Sequence, residues 1–164
     1  CCFTWETFDH AFFRNNLALG GPPGEGDFGG YSPGDGLAAS MARPGPASSF
    51  DYDALGSHGL PFRARFGDWR VSRFEDLQGG PHEEHAVLVD LDVFDGVRFP
   101  DPSDRCDPPD LRPRPGSAVV DRGMRLIGVN DGFDGAAPDI GAYEAGRPLP
   151  HYGPRSPGVD EGPG

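Results

Sequence analysis

Ala118-Val119-Val120-Asp121-Arg122-Gly123 is followed, six residues later, by Asn130-Asp131-Gly132-Phe133-Asp134-Gly135-Ala136-Ala137-Pro138-Asp139-Ile140-Gly141-Ala142-Tyr143-Glu144. Two short apolar runs, Ala118–Asp121 and Asp139–Glu144, flank a turn rich in glycine and aspartate. Gly and Asp at this density favour tight turns through positive φ and side-chain to backbone bonds. The pattern predicts brief extended segments that close a larger β structure.

Working back along the chain, Val87-Leu88-Val89-Asp90-Leu91-Asp92-Val93-Phe94 is the clearest strand. Side chains alternate between faces along a strand, so Val87, Val89, Leu91 and Val93 share an interior face. Asn15-Asn16-Leu17-Ala18-Leu19-Gly20 and Asp51-Tyr52-Asp53-Ala54-Leu55-Gly56 share Ala-Leu-Gly at an offset of 36 residues. That spacing falls within the ~20–50 residues typical of stacked repeats. Ser72-Arg73-Phe74-Glu75 has the form of a capping box and predicts a short helix over 73–78, stopped by Gly79-Gly80. Residues 21–46 read as a long Gly/Pro-rich loop within a single unit, 1–146. Residues 147–164 read as a disordered tail, too poor in apolar side chains to offset the entropy of ordering.

Composition narrows the function. The 164 residues include 26 Gly and 19 Pro, and the net charge is −12. An acidic chain lacks the clustered cations that nucleic-acid binding requires. All 14 basic residues are arginine, which excludes a Walker-type lysine and Schiff-base catalysis. No run reaches the ~18 apolar residues of a membrane helix. Cys1-Cys2-Phe3-Thr4-Trp5-Glu6 has no signal-peptide pattern, and the absent initiator Met suggests a fragment or a processed chain. Cys1, Cys2 and Cys106 form no disulfide framework; a bridge from Cys106 to the N-terminal pair and a free thiol are both open.

Several segments resemble right-handed parallel β-helix proteins of the pectate-lyase-like, PbH1-repeat type. Phe13-Arg14-Asn15-Asn16-Leu17 resembles a rung with Asn at its bend, and Ser49-Phe50-Asp51-Tyr52-Asp53-Ala54-Leu55 resembles the next. Trp69 through Leu77, Glu84-His85 and Val89-Asp90 are similar to the short helix and returning strand beyond. Asp110-Leu111-Arg112-Pro113-Arg114-Pro115-Gly116-Ser117-Ala118-Val119-Val120-Asp121 and the Asp139–Glu144 run resemble the terminal motif, with Arg122 in place of a small residue. The resemblance implies an all-β fold: the terminal rungs and C-terminal cap of a β-helix, loop-rich, with one short helix. It also implies an extracellular or cell-surface protein that binds or processes polysaccharide. Further rungs, and any catalytic centre, would then lie upstream of residue 1. A non-catalytic, adhesin-like protein and a polysaccharide lyase or glycosidase with part of its site here are the alternatives.

Five groups of residues are candidates for chemistry. Asp90 and Asp92, on one strand face, would stand roughly 6–7 Å apart, near the carboxyl separation of inverting glycosidases. Outward polar residues alternating with core valines need no catalytic explanation, and a solvated strand face is the simpler reading. Arg63, Arg65, Trp69 and Arg70 are candidate substrate-binding residues, since guanidinium forks suit carboxylates and aromatic rings suit sugar faces. Asp131, Asp134 and Asp139 could offer oxygens to calcium, against a purely structural turn. His82-Glu83-Glu84-His85 lacks the spacing of a zinc motif and reads as a solvated loop. Asp35, Ser40 and His58 could supply a hydrolase triad by type, with no nucleophile-elbow sequence behind them.

Overall fold

The computed structural model describes residues 9–21, 36–98 and 109–150. The three cysteines, Asp35, most of the long loop and the tail beyond 150 lie outside the described residues. Within them the fold is all-β, built of short strands and irregular chain with no helix of seven residues or more. The strands are β1 (Phe12–Phe13), β2 (Leu17–Gly20), β3 (Ala39–Met41), β4 (Ser49–Phe50), β5 (Ala54–Ser57), β6 (Ala64–Phe66), β7 (Trp69–Val71) and β8 (Val87–Leu88).

Pairing is parallel between successive passes of the chain. β1 pairs with β4, β2 with β5, β5 with β8 and β3 with β6; only β6–β7 is an antiparallel hairpin. Leu17 stands opposite Ala54, and Ala54 opposite Val87. The repeat step between the first two passes is therefore one residue longer than the Ala-Leu-Gly match suggests: Ala18 faces Leu55, not Ala54. A one-residue slip would send every side chain to the other face of the sheet. The true register is held at the bend before it. Asp53 accepts from the backbone N–H of Asn16 at 2.7 Å and from its side-chain amide at 3.0 Å, 37 residues away. Phe13 stacks on Phe50 at the same step, with ring centroids 5.1 Å apart. The two rung-like segments thus do lie side by side.

The sheet β2–β5–β8 is covered on both faces. On one side Leu55, with Ala18 packed beside it, joins Ala38, Ala39, Ala64, Phe66, Val71 and Leu77. On the other, Ala54 and Val87 join Val89, Val93, Val119 and Ile140, with Leu17 and Leu19 against them. Val119 and Ile140 are fully buried, which stabilises by about 1.5–3 kcal/mol each relative to exposure. They are linked directly, Ile140 N–H donating to the Val119 carbonyl at 3.0 Å. Gly141 N–H reaches the Asn15 carbonyl at 3.0 Å, so the closing stretch touches the first pass as well.

Four local expectations need correction. The strand from Val87 stops at Leu88, because the Asp90 carboxylate accepts from Leu91 N–H and turns the chain into a 3-10 segment over Leu91–Val93. Val87, Val89 and Val93 are still buried, but Leu91 is only half-buried. The expected helix over 73–78 is a 3-10 turn, Phe74–Leu77, with Arg73 rather than Ser72 at its N-cap and no capping side chain. Arg73 pairs with Asp76 instead, and Gly79 ends the turn at φ 75°. The segment 21–46 is not all loop, since β3 lies within it. Finally, 118–121 is a turn and 139–144 bends and irregular chain rather than strands; their amides go partly to backbone carbonyls and partly to carboxylates, Asp121 N–H to Asp139 and Asp139 N–H to Glu144.

At Gly56 a Cβ atom would meet the Val89 carbonyl oxygen at 1.9 Å and a Leu19 methyl at 2.6 Å. Gly56→Ala should therefore lower stability by about 1–3 kcal/mol through overpacking between the passes, read as a shift in the urea unfolding midpoint.

Candidate functional site

The antiparallel hairpin carries the strongest positive feature. In β6 and β7 the alternation buries Ala64, Phe66 and Val71 and leaves Arg65 and Arg70 outside. These two arginines are directly opposite each other across the hairpin. Like charges so placed repel, and neither forms an ion pair with any described residue. Arg65 donates to Ser40 Oγ on the adjoining strand at 3.1 Å. Arg63, two residues before Arg65, is exposed on the same face. Trp69 does not join them. Its ring leans on the core, 5.6 Å from Phe66 and 6.4 Å from His82, and Gly80 closes over its edge. The site is thus a guanidinium pair on a sheet face, suited to carboxylate or sulfate, without an aromatic platform.

A groove of about 580 Å³ opens beside β8, with Leu60, Phe62 and Leu88 as its apolar wall and Asp90, Asp92 and Arg114 as its charged groups. Asp90 and Asp92 are not presented as a pair on one strand face, because the chain leaves the strand before Asp90. Asp90 is held by His58, Nδ1 to Oδ1 at 2.5 Å, and by Leu91 N–H at 2.7 Å. Burial works to raise its pKa, but these two bonds outweigh it and keep the carboxyl below its usual range. Asp92 is exposed. Ser117, in the groove wall, has a buried hydroxyl with no hydrogen-bond partner. The His58–Asp90 contact was not expected. Its only sequence signal is that both residues follow the ends of paired strands, β5 and β8. Ser40 and His58 are thus committed to different partners.

The calcium candidates are spread over separate local tasks. Asp131 accepts from Arg125 Nε at 2.9 Å and from Gly128 N–H at 2.5 Å. Asp134 takes both prongs of Arg147, at 2.6 and 2.8 Å. Asp139 accepts from Asp121 N–H at 2.8 Å and from Ala145 N–H at 2.6 Å. The Gly128 amide first, and Arg125 after it, keep Asp131 below the ordinary carboxylate range; Arg147 does so for Asp134. Among the described residues no cluster of three or more His, Cys, Asp or Glu could hold a metal.

The segment His82–His85 departs most from expectation. Glu84 and His85 are exposed, but Glu83 is buried, at 1% exposure and with φ 59°. Neither of its carboxyl oxygens makes a well-formed hydrogen bond. Its polar neighbour is Asp53, itself 2% exposed. Burial, and then the charge of Asp53, pushes the Glu83 carboxyl up to about 9. Burial also raises Asp53, against the opposing bonds from Asn16. His82 packs among Phe50, Phe66 and Trp69, and burial lowers its pKa. His85 binds Asp51 at 2.7 Å and stacks on Tyr52. The four residues thus serve packing and pairing.

No family model, curated protein or solved structure matches this chain.

Because Asp131, Asp134 and Asp139 already have donors, millimolar calcium should leave the thermal midpoint unmoved. Asp139→Ala strands two amides and should cost about 2 kcal/mol or more. Calorimetry with and without the ion checks both.

Proposed function

We propose that this chain is the closing part of an extracellular, right-handed parallel β-helix that binds polysaccharide, and that its main task is to end and stiffen the solenoid. The observation that carries this reading is the parallel register through Leu17, Ala54 and Val87, with Asn16 bonded to Asp53 at the bend. Short parallel strands repeated at such steps, with amide-bearing side chains stacked at the corners, are what consecutive solenoid turns require. The likeness of the rung and terminal segments to β-helix proteins points the same way.

The edges of the stack fit the role. Among the described residues β1, β2 and β3 each pair on one side only, so an earlier turn could add there as a further parallel pass. At the opposite side of the assembly β7 folds back antiparallel on β6, and residues 91–98 and 109–145 supply Val93, Val119 and Ile140 to the sheet's second face. An irregular, carboxylate-pinned segment offers no regular edge for further pairing, which guards against aggregation.

Polysaccharide is the partner in this reading because Arg65 and Arg70 together present donor forks to an anion on an otherwise acidic protein, and acidic sugars carry carboxylates at regular intervals. Adhesion without turnover is favoured over hydrolysis by one specific observation: Asp90 is tied to His58 and Leu91, apart from exposed Asp92.

Passage over immobilised polygalacturonate and over a neutral glucan tests the proposal. Retention on the acidic polymer at low salt is expected, weakening as salt rises. Arg65→Ala combined with Arg70→Ala should weaken retention by about tenfold or more, as loss of charged hydrogen bonds implies. No unsaturated product and no new reducing ends should appear. Failure of the unaltered protein to be retained on either polymer overturns the binding role. Turnover that disappears in Asp90→Asn replaces the adhesive reading with a catalytic one.

A further inference from the structure

We propose that a proton shared between the buried carboxyls of Asp53 and Glu83 latches segment 82–89 onto the preceding pass, so that the structure tightens in mild acid and loosens on the alkaline side of neutrality.

The geometry comes first. Asp53 sits at the bend between β4 and β5, and Glu83 at the start of the following pass. Their backbones are threaded into the same ladder: Glu83 N–H donates to the Phe50 carbonyl at 2.8 Å, and Val87 N–H to the Asp53 carbonyl at 2.9 Å. Neither side chain can therefore leave while 82–89 stays docked. Both are almost wholly buried, and the Glu83 oxygens make no well-formed hydrogen bond, the Asp53 backbone N–H giving them only a weak opposing interaction. Two ionised carboxylates in such a place would repel at short range with little solvent to screen them. One proton between them turns the repulsion into an O–H···O bond.

The surroundings decide which partner keeps the charge. From the first pass, Asn16 gives Asp53 two N–H bonds. Arg14 lies close enough to favour the ionised form of Asp53, while its own N–H groups reach the Phe13 and Ser49 carbonyls and Ser49 Oγ. From the second pass, Asp51 adds negative charge toward Glu83, although it is itself bonded to His85 and Tyr52 N–H. From the third, His82 is enclosed by aromatic rings, His85 is bonded to Asp51 and stacked on Tyr52, and Glu84 is exposed. Asp53 thus holds the charge and Glu83 the proton.

The sign follows. The folded-state pKa of Glu83 lies above its unfolded value, so its contribution is fully present below about 4.5 and is lost as pH rises toward about 9. Asp53 is raised as well and acts in the same direction. Opposing groups work elsewhere on the scale. Asp51 and Asp90 are lowered, and they withdraw stability only in acid. His82, held neutral by burial, does so only below its ordinary value of 6.5. The window from about pH 7 to about pH 9 therefore excludes these opposing groups; Glu144, raised chiefly by burial, acts in the same direction as the latch and is separated from it by comparison with Glu83→Gln.

Unfolding by urea across that window, on the unaltered chain and on Glu83→Gln, is the test. The folding constant of the unaltered chain should fall by up to about tenfold per pH unit. Glu83→Gln, whose amide can donate to Asp53 at any pH, should show no such fall and should be the more stable form near pH 9. Equal slopes in the two proteins overturn the proposal. Carboxyl-carbon NMR of the unaltered folded protein provides a second reading that does not depend on the variant. A buried glutamate titrating well above neutrality supports the latch; every glutamate titrating near 4.5 overturns it.

Discussion

A sheet only three short strands wide can hold this chain together because both of its faces are covered. Each residue of β2, β5 and β8 must then fit one of two packed layers, and the space is narrow. Ala54 and Gly56 face the second layer, where Val89 passes so close to Gly56 that a methyl group has no room. Leu55 fills the first. This is the constraint from which the rest follows: the register cannot slip, the bend at Asn16 and Asp53 must be fixed, and Val93, Val119 and Ile140 must return to cover the outer layer.

With so little regular pairing, most backbone amides need other acceptors, since a buried N–H left alone is costly. Aspartate supplies many of them. Asp9, Asp51, Asp53, Asp90, Asp121, Asp131 and Asp139 each accept from at least one backbone N–H. The acidic composition is thus largely a structural resource. It does in the loops what ladder bonds do in strands, and it accounts for why clusters such as Asn130–Asp139 look like metal sites while acting as turn staples. Arg65 and Arg70 of the β6–β7 hairpin stand out against this background because, among the described residues, neither is paired with a carboxylate.

Much of the architecture was readable where side-chain type reports local geometry. The valines after His85 announce a buried strand, and the Asn-Asn and Asp-Tyr-Asp bends announce stacked corners; both segments sit where that reading puts them. What failed did so for identifiable reasons. The strand at Val87 was read too long because alternation cannot register the pull of Asp90 on Leu91 N–H. Ala-Leu-Gly was aligned one residue out because composition matched where packing did not. Ser72 was read as a cap, but the turn begins one residue later without one. Glu83 was the largest miss. A glutamate flanked by His82, Glu84 and His85 carries no mark of burial, and only the arrival of Asp53 from 30 residues earlier makes it unusual. Trp69 follows the same logic: its ring leans toward Phe66 and His82, contacts that neighbouring arginines in the sequence do not reveal.

Asn15 holds Met124 with both ends of its amide, Nδ2 to the carbonyl at 2.8 Å and Oδ1 from the N–H at 2.7 Å, across a separation of 109 residues. During synthesis the first corner of the sheet therefore emerges long before a segment that completes it. Until Ile140 has cleared the ribosome, Leu17 and Leu19 lack the layer it provides, and the nascent chain displays a greasy, one-sided ribbon. Such long-range closure slows folding and extends the interval in which chaperone protection matters.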